Sequence, residues 1–217
     1  MVNLCDTEYP RDLVDHQQMN RILRHRLRNL CAGVKMTASR MADQTREANP
    51  RMSSRCDVIV SELDNLFGFT QRMDLLFDAL PVGEPTTLFE LITNLREFFI
   101  QKYPFSTLTL NGSEQNVLFP HGSLIYIALM ELIDNAGEAV GSNGQVELSW
   151  IQKEKNYIIE VTSLNCSIPN EIPINPPEPF NTLRSRHDGI GMSISYRICK
   201  ALNSNLILDS SSEKKVI

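Results

Sequence analysis

The chain has 217 residues, of which 42% are hydrophobic and 22% charged, with a net charge of −5. This is ordinary globular composition with room for one large or two small domains, and the acidic balance argues against nucleic-acid binding through a basic surface. No apolar run approaches the roughly 20 residues of a membrane span. Met1 to Pro10 also lacks the charged and apolar regions of a signal peptide, so no membrane insertion and a cytoplasmic location are expected.

The five cysteines, Cys5, Cys31, Cys56, Cys166 and Cys199, are widely separated and form no C-x-x-C pair, which reads as free thiols in a reducing compartment. Residues 1–10 read as a tail. From Arg11 to about Glu47 there is no proline and only Gly33, and Leu23, Leu27, Leu30, Val34, Thr37 and Met41 recur at heptad spacing. Asn49-Pro50 breaks this helix. A second follows to about Leu80, with Ile59, Leu63, Leu66, Thr70, Met73, Phe77 and Leu80 in the same spacing, until Pro81 stops it. Two such helices form a hairpin over residues 11–80 whose apolar stripes one chain cannot cover, so a homodimeric four-helix bundle is expected.

Residues 81–85 (PVGEP) read as a linker to a second domain, 86–217. Thr87 with Glu90 is a capping signature for a helix to about Lys102. Thr107–Leu110 and Val117–Phe119 read as strands paired across an Asn111-Gly112 turn. A helix from about His121 to Val140 follows and ends at Gly141. Gln145–Ile151 and Tyr157–Ser163 alternate as a hairpin, and Leu164–Asp188, with five prolines, reads as a lid. Gly189–Leu202 is a helix with a glycine-rich start, followed by a strand at Asn205–Asp209 and, after the polar SSSEKK turn, a short final strand.

Three clusters carry chemistry. His25 falls at the solvent-facing heptad position, with Asn29 four residues on along the same face. Arg21, Arg24, Arg26 and Arg28 surround it in sequence and suit a phosphoryl group or an acidic protein partner. A solvated basic face is the plain alternative. In ELIDNAGEA, Glu131 and Asn135 share one helix face, and Asp134 and Glu138 an adjacent one. Such a face can hold Mg²⁺ through oxygen ligands, or can simply be the polar side of an amphipathic helix. Gly189-Ile190-Gly191 opens a helix, where backbone amides and the helix dipole favour phosphate.

In this order the clusters resemble a sensor histidine kinase catalytic core over about residues 15–217. RHRLRN resembles an H-R-x-x-N histidine box, matched by His25, Arg26 and Asn29. ELIDNAGEA resembles the N box of the GHKL ATP-binding fold, PFNTL (Pro179–Leu183, with Phe180) its F box, and DGIGMSI (Asp188–Ile194) its second glycine box. The resemblance implies an α+β protein: a helical hairpin forming a dimeric four-helix bundle, then a GHKL-type α/β sandwich.

It further implies that ATP and Mg²⁺ bind through Asn135, the metal ligand, together with Glu138, Ser163, Phe180, Asp188, Gly189 and Gly191. Glu131 would stand where related ATPases keep a base. The γ-phosphoryl would move to His25 and then to a response-regulator receiver aspartate, with Asn29 able to orient water in dephosphorylation. Against the same pattern, Arg26 stands where many kinases carry an acid. Ser163 takes the place of the adenine-reading aspartate, Asn165 and Ser167 replace glycines, and so does His187. A histidine phosphotransferase with a decayed ATP site, or a GHKL regulatory module, are the alternatives.

Overall fold

The computed structural model describes residues 11–113, 117–154, 156–164, 178–180, 188–208 and 214–216. The expected tail, most of the expected lid, Asn165, Ser167, His187 and most of the SSSEKK turn lie outside them. The chain divides into two compact units, Met1–Asp78 and Ala79–Ile217. None of the described helices is long and apolar enough to cross a membrane.

The first unit is a hairpin of α1 (Arg11–Thr45) and α2 (Pro50–Phe77). Asn49 makes the turn work as a helix start: its side chain accepts the Met52 N–H at 3.2 Å, and Pro50 occupies the first turn, where a missing amide hydrogen costs nothing. The second helix ends at Phe77, three residues short of the expected Leu80. Asp78 is extended, with ψ at 174°, and its carboxylate accepts from Arg24.

On α1 the heptad positions are not the buried ones. On α1 the buried residues are Arg24, Cys31, Ala38 and Ala42, one position over from the leucines, and on α2 they are Ser53, Cys56 and Thr70. These are mostly small side chains, and they let the helices approach closely. Leu23 and Leu30 keep 56% and 64% of their surface exposed, and Leu27, Val34, Met41, Ile59 and Phe77 are exposed as well. Of the expected seam, Thr70 is buried within the hairpin, and Leu63, Leu66 and Met73 are half-buried.

The second unit contains β1 (Thr86–Thr87), α3 (Leu88–Lys102), β2 (Thr107–Gly112), β3 (Leu118–Phe119), α4 (Gly122–Val140), β4 (Gln145–Lys153), β5 (Asn156–Leu164), α5 (Gly191–Ala201) and β6 (Lys214–Val216). The main sheet runs β2-β4-β5-β6, with β2 parallel to β4 and the remaining pairs antiparallel. Leu88, Leu91, Leu95 and Phe99 of α3 and Leu129, Leu132, Ile133 and Ala136 of α4 pack on Val146, Leu148 and Val161 of the sheet. The result is a helix layer on a sheet layer.

The expected capping box is present. Glu90 N–H donates to Thr87 Oγ1 at 3.2 Å, and the Glu90 carboxylate accepts the Thr87 N–H at 2.9 Å. Hydrogen bonds from the Thr87 backbone and hydroxyl hold the Glu90 carboxyl below its ordinary range. Its contribution is therefore complete above the ordinary glutamate pKa and lost as pH falls through the lowered value. Thermal melts of Glu90→Gln and the wild type should separate near neutral pH and converge in acid, and curves that stay parallel down to low pH would refute this.

The strand pair expected across Asn111-Gly112 does not form. Both residues lie inside β2, which pairs in parallel with β4, while β3 pairs with β1. The glycine serves a different purpose. A Cβ on Gly112 would lie 2.2 Å from the Trp150 ring, whose Nε1 donates to the Ser113 carbonyl at 3.0 Å. Gly112→Val is therefore expected to cost about 2 kcal/mol by overpacking and to change the emission of Trp150, the single tryptophan. Residues 204–208 carry no strand, against expectation. The expected short final strand is present as β6, and it pairs with β5, with Thr162 opposite Val216.

Candidate active site

His25 is exposed on α1, as its heptad position requires. Asn29, one turn on, places Nδ2 3.4 Å from His25 Nδ1. The surrounding arginines divide into two pairs. Arg24 turns away into the hairpin, its Nε donating to Asp74 at 2.7 Å and its Nη2 to Asp78 at 2.8 Å, and Arg28 Nη1 meets the other Asp74 oxygen at 2.6 Å. Burial works against the Arg24 charge, but the hydrogen bonds it donates to Asp78 and Asp74, with the attraction of their charges, outweigh it and raise the guanidinium above its ordinary value. The expectation of four arginines serving His25 is corrected. Arg24 and Arg28 crosslink the helices, and Arg21 and Arg26 are the exposed pair.

Asp74 and Asp78 were not singled out from the sequence, although a signal was there. Two aspartates four apart on one helix match two arginines four apart on its antiparallel neighbour.

In the second unit, Glu131, Asn135 and Glu138 form one stripe along α4. Glu131 is buried, with 3% exposure, and Asn135 and Glu138 are half-buried. Ser195 of α5 ties the two helices together, its Oγ donating to the Ala128 carbonyl at 2.9 Å and lying 3.2 Å from the Gly191 carbonyl. The start of α5 therefore adjoins α4 within about one turn of Glu131.

Just before α5, Gly189 takes a φ of +65°, a conformation that favours glycine, and its carbonyl accepts the Phe180 N–H at 2.9 Å. Phe180 itself is exposed, with a φ of +67°. Asp188 is exposed, and Ser163 is fully buried on β5, opposite Val146. Ser195 thus ties α5 to α4 at Ala128, three residues before Glu131, and Phe180 is tethered to Gly189 just before α5.

Asp134 has a different task. It accepts from Lys102 Nζ at 2.7 Å and from Tyr103 Oη at 2.6 Å, clamping the end of α3 to α4. Gly137 makes room for the same ring, since a Cβ there would lie 2.5 Å from it.

A buried carboxamide with a spare donor suits a site that a ligand completes. Asn135 Nδ2 is buried without a hydrogen-bond partner, and its Oδ1 is the kind of oxygen that Mg²⁺ accepts. Among the described residues no three His, Cys, Asp or Glu side chains gather as a metal cage. Any Mg²⁺ held here would draw most of its ligands from phosphate and water, as that ion commonly does. The residues fit such a metal–nucleotide pair.

A helical hairpin followed by a helix-on-sheet domain of this topology is the fold of histidine kinase catalytic regions. It matches full-length ShkA in complex with AMPPNP with a TM-score of 0.66 at 15% identity, over 92% of this chain and 44% of that one. The match to histidine kinase ThkA in complex with response regulator TrrA has a TM-score of 0.59 at 19% identity, over 92% and 59%. The nucleotide-free ThkA catalytic domain gives 0.54 at 21%, over 61% and 90%.

In sequence the chain is 28% identical over 164 residues, 74% of its length, to sporulation kinase A of Bacillus subtilis (strain 168). It spans 26% of the length of that relative. No family model matches the sequence.

Proposed function

We propose that this chain is a histidine protein kinase core of a two-component system. On this reading ATP and Mg²⁺ bind at the Glu131–Asn135 stripe and the start of α5, the γ-phosphoryl passes to His25, and a response-regulator aspartate receives it. The observation that carries the reading is the presence, in one chain with this fold, of an exposed His25 hydrogen-bonded to Asn29 and a buried Asn135 amide without a partner. Similarity to sporulation kinase A supports it, as do fold neighbours solved with AMPPNP and with a response regulator.

Bound nucleotide would supply the phosphoryl group, and the metal would neutralise its charge. The residues of the chain do the rest. Amides at the α5 start would meet phosphate oxygens, Asn135 Oδ1 would hold the metal, and Glu131 would orient water or a phosphate. His25 presents a ring nitrogen, and Arg21 and Arg26 offer charge to the incoming group.

Incubation with γ-labelled ATP and Mg²⁺ should give acid-labile label on the wild type and none on His25→Ala. Label that persists in that variant, or its absence from a wild type that is not stabilised by ATP, would overturn the kinase reading in favour of a phosphotransferase or a regulatory module.

The reading includes a homodimer. Leucines and a valine at heptad spacing stay exposed on α1 because the hairpin packs through its small residues, and each leucine buried against a partner contributes about 2 kcal/mol. Sedimentation at micromolar concentration should show a dimer that Leu30→Glu with Val34→Glu converts to a monomer. A wild type already monomeric there would remove the bundle.

A further inference from the structure

We propose that Asn29 is a positioning residue that selects the tautomer of His25. The inference rests on His25 being the phosphoryl acceptor for its relevance, but not for its test. Asn29 makes the hydrogen bond to the ring, at Nδ1, and among the described residues no other side chain bonds to it. A carboxylate beside the ring would be the simplest way to hold a ring proton, but none serves here. The next residue is Arg26, and the acids at this level of the hairpin, Asp74 and Asp78, are taken by Arg24 and Arg28 on the face turned to α2.

A neutral imidazole has one N–H and one lone pair, and the partner at one nitrogen decides which is which. The Asn29 carboxamide offers either sign of partner through a half turn. With Nδ2 against Nδ1, the ring accepts there, its proton sits on Nε2, and the outward nitrogen has no free lone pair. With Oδ1 against Nδ1, the ring donates there and the Nε2 lone pair is free. The structure places Nδ2 against Nδ1 at 3.4 Å, and the arrangement with Oδ1 there is the reactive one.

From the reactive arrangement the chemistry balances without a base. The Nε2 lone pair forms the bond to phosphorus as the bond from phosphorus to the bridging oxygen breaks, and that electron pair leaves on ADP. The ring proton stays on Nδ1. The ring is then cationic and can only donate at Nδ1, so Oδ1 is the atom of Asn29 that suits the product. The amide thus favours the direction of transfer by holding a proton in place rather than removing one.

The test reads the ring itself. In the full chain labelled with ¹⁵N-histidine, long-range proton–nitrogen correlations report which nitrogen is protonated, and His25→Gln assigns the resonance among four histidines. Asn29→Asp, which can only accept, should move His25 to the Nδ1–H form. Asn29→Leu should shift the tautomer ratio about tenfold the other way relative to Asn29→Asp, the worth of one net hydrogen bond.

A ratio that is the same in wild type, Asp and Leu variants would overturn the proposal. Labelling by phosphoramidate, a small donor that needs no nucleotide site, should follow the Nδ1–H population across the three proteins. A labelling rate that ignores it would also overturn the positioning role. Failure of the kinase reading would show instead as no label from ATP with the ring spectra unchanged.

Discussion

Asp74→Ala is expected to destabilise the hairpin by about 3 kcal/mol, the cost of breaking a largely buried ion pair from one side. Asp74 serves two arginines at once, Arg24 Nε at 2.7 Å and Arg28 Nη1 at 2.6 Å. The Arg24 side chain is only 7% exposed, so water cannot replace the lost oxygen, whereas Arg28, at 24%, is partly re-solvated. Asp78 remains on Arg24 and keeps the loss from reaching the upper end of the range. Denaturation followed by circular dichroism should show the hairpin transition moving, while Trp150 fluorescence, which reports the second unit, stays in place. Arg24→Met with Asp74→Leu should recover part of the loss, because it removes the buried guanidinium together with its Asp74 partner, while Asp78 and Arg28, the more exposed members, each give up one contact. Equal shifts of both probes would mean that the cluster does more than staple two helices.

The helices were legible because their signals are local. Asn49-Pro50, the Thr87–Glu90 box and Gly141 act within four residues, and each lies where its helix starts or stops. Sheet partners were less legible, because Asn-Gly looks like a turn until a distant ring needs the space over Gly112. A sequence shows that glycine but not Trp150 above it. The heptad marked an apolar stripe that one chain leaves largely uncovered, and it did not show which residues join α1 to α2. Periodicity identifies an apolar stripe without saying what covers it, and here Cys31, Ala38, Cys56 and Thr70 do the packing within one chain. At the site, spacing along one helix placed His25 with Asn29 and Glu131 with Asn135. The roles of Arg24, Arg28 and Asp134 depend on residues more than thirty positions away, and the sequence alone assigned the arginines to the wrong neighbour.

Asn135→Ala should separate ligand binding from folding. Amide nitrogens buried without a partner cost stability in the empty protein, and Asn135 Nδ2 is one. The alanine variant loses no hydrogen bond at that atom, and Ala136 and Ile133 beside it keep the core of α4. Its melting temperature without ligand should therefore match or exceed that of the wild type. The ligand response should behave in the opposite way. At ATP and Mg²⁺ about 100 times above the dissociation constant, the wild type gains about 2.7 kcal/mol, and a variant weakened about 100-fold gains only about 0.4 kcal/mol from the same relation. Stability given up at one residue and returned by a ligand is the mark of a binding position. If the variant instead melts early without ligand and keeps the full ligand shift, Asn135 is a structural residue and does not mark the proposed metal–nucleotide site.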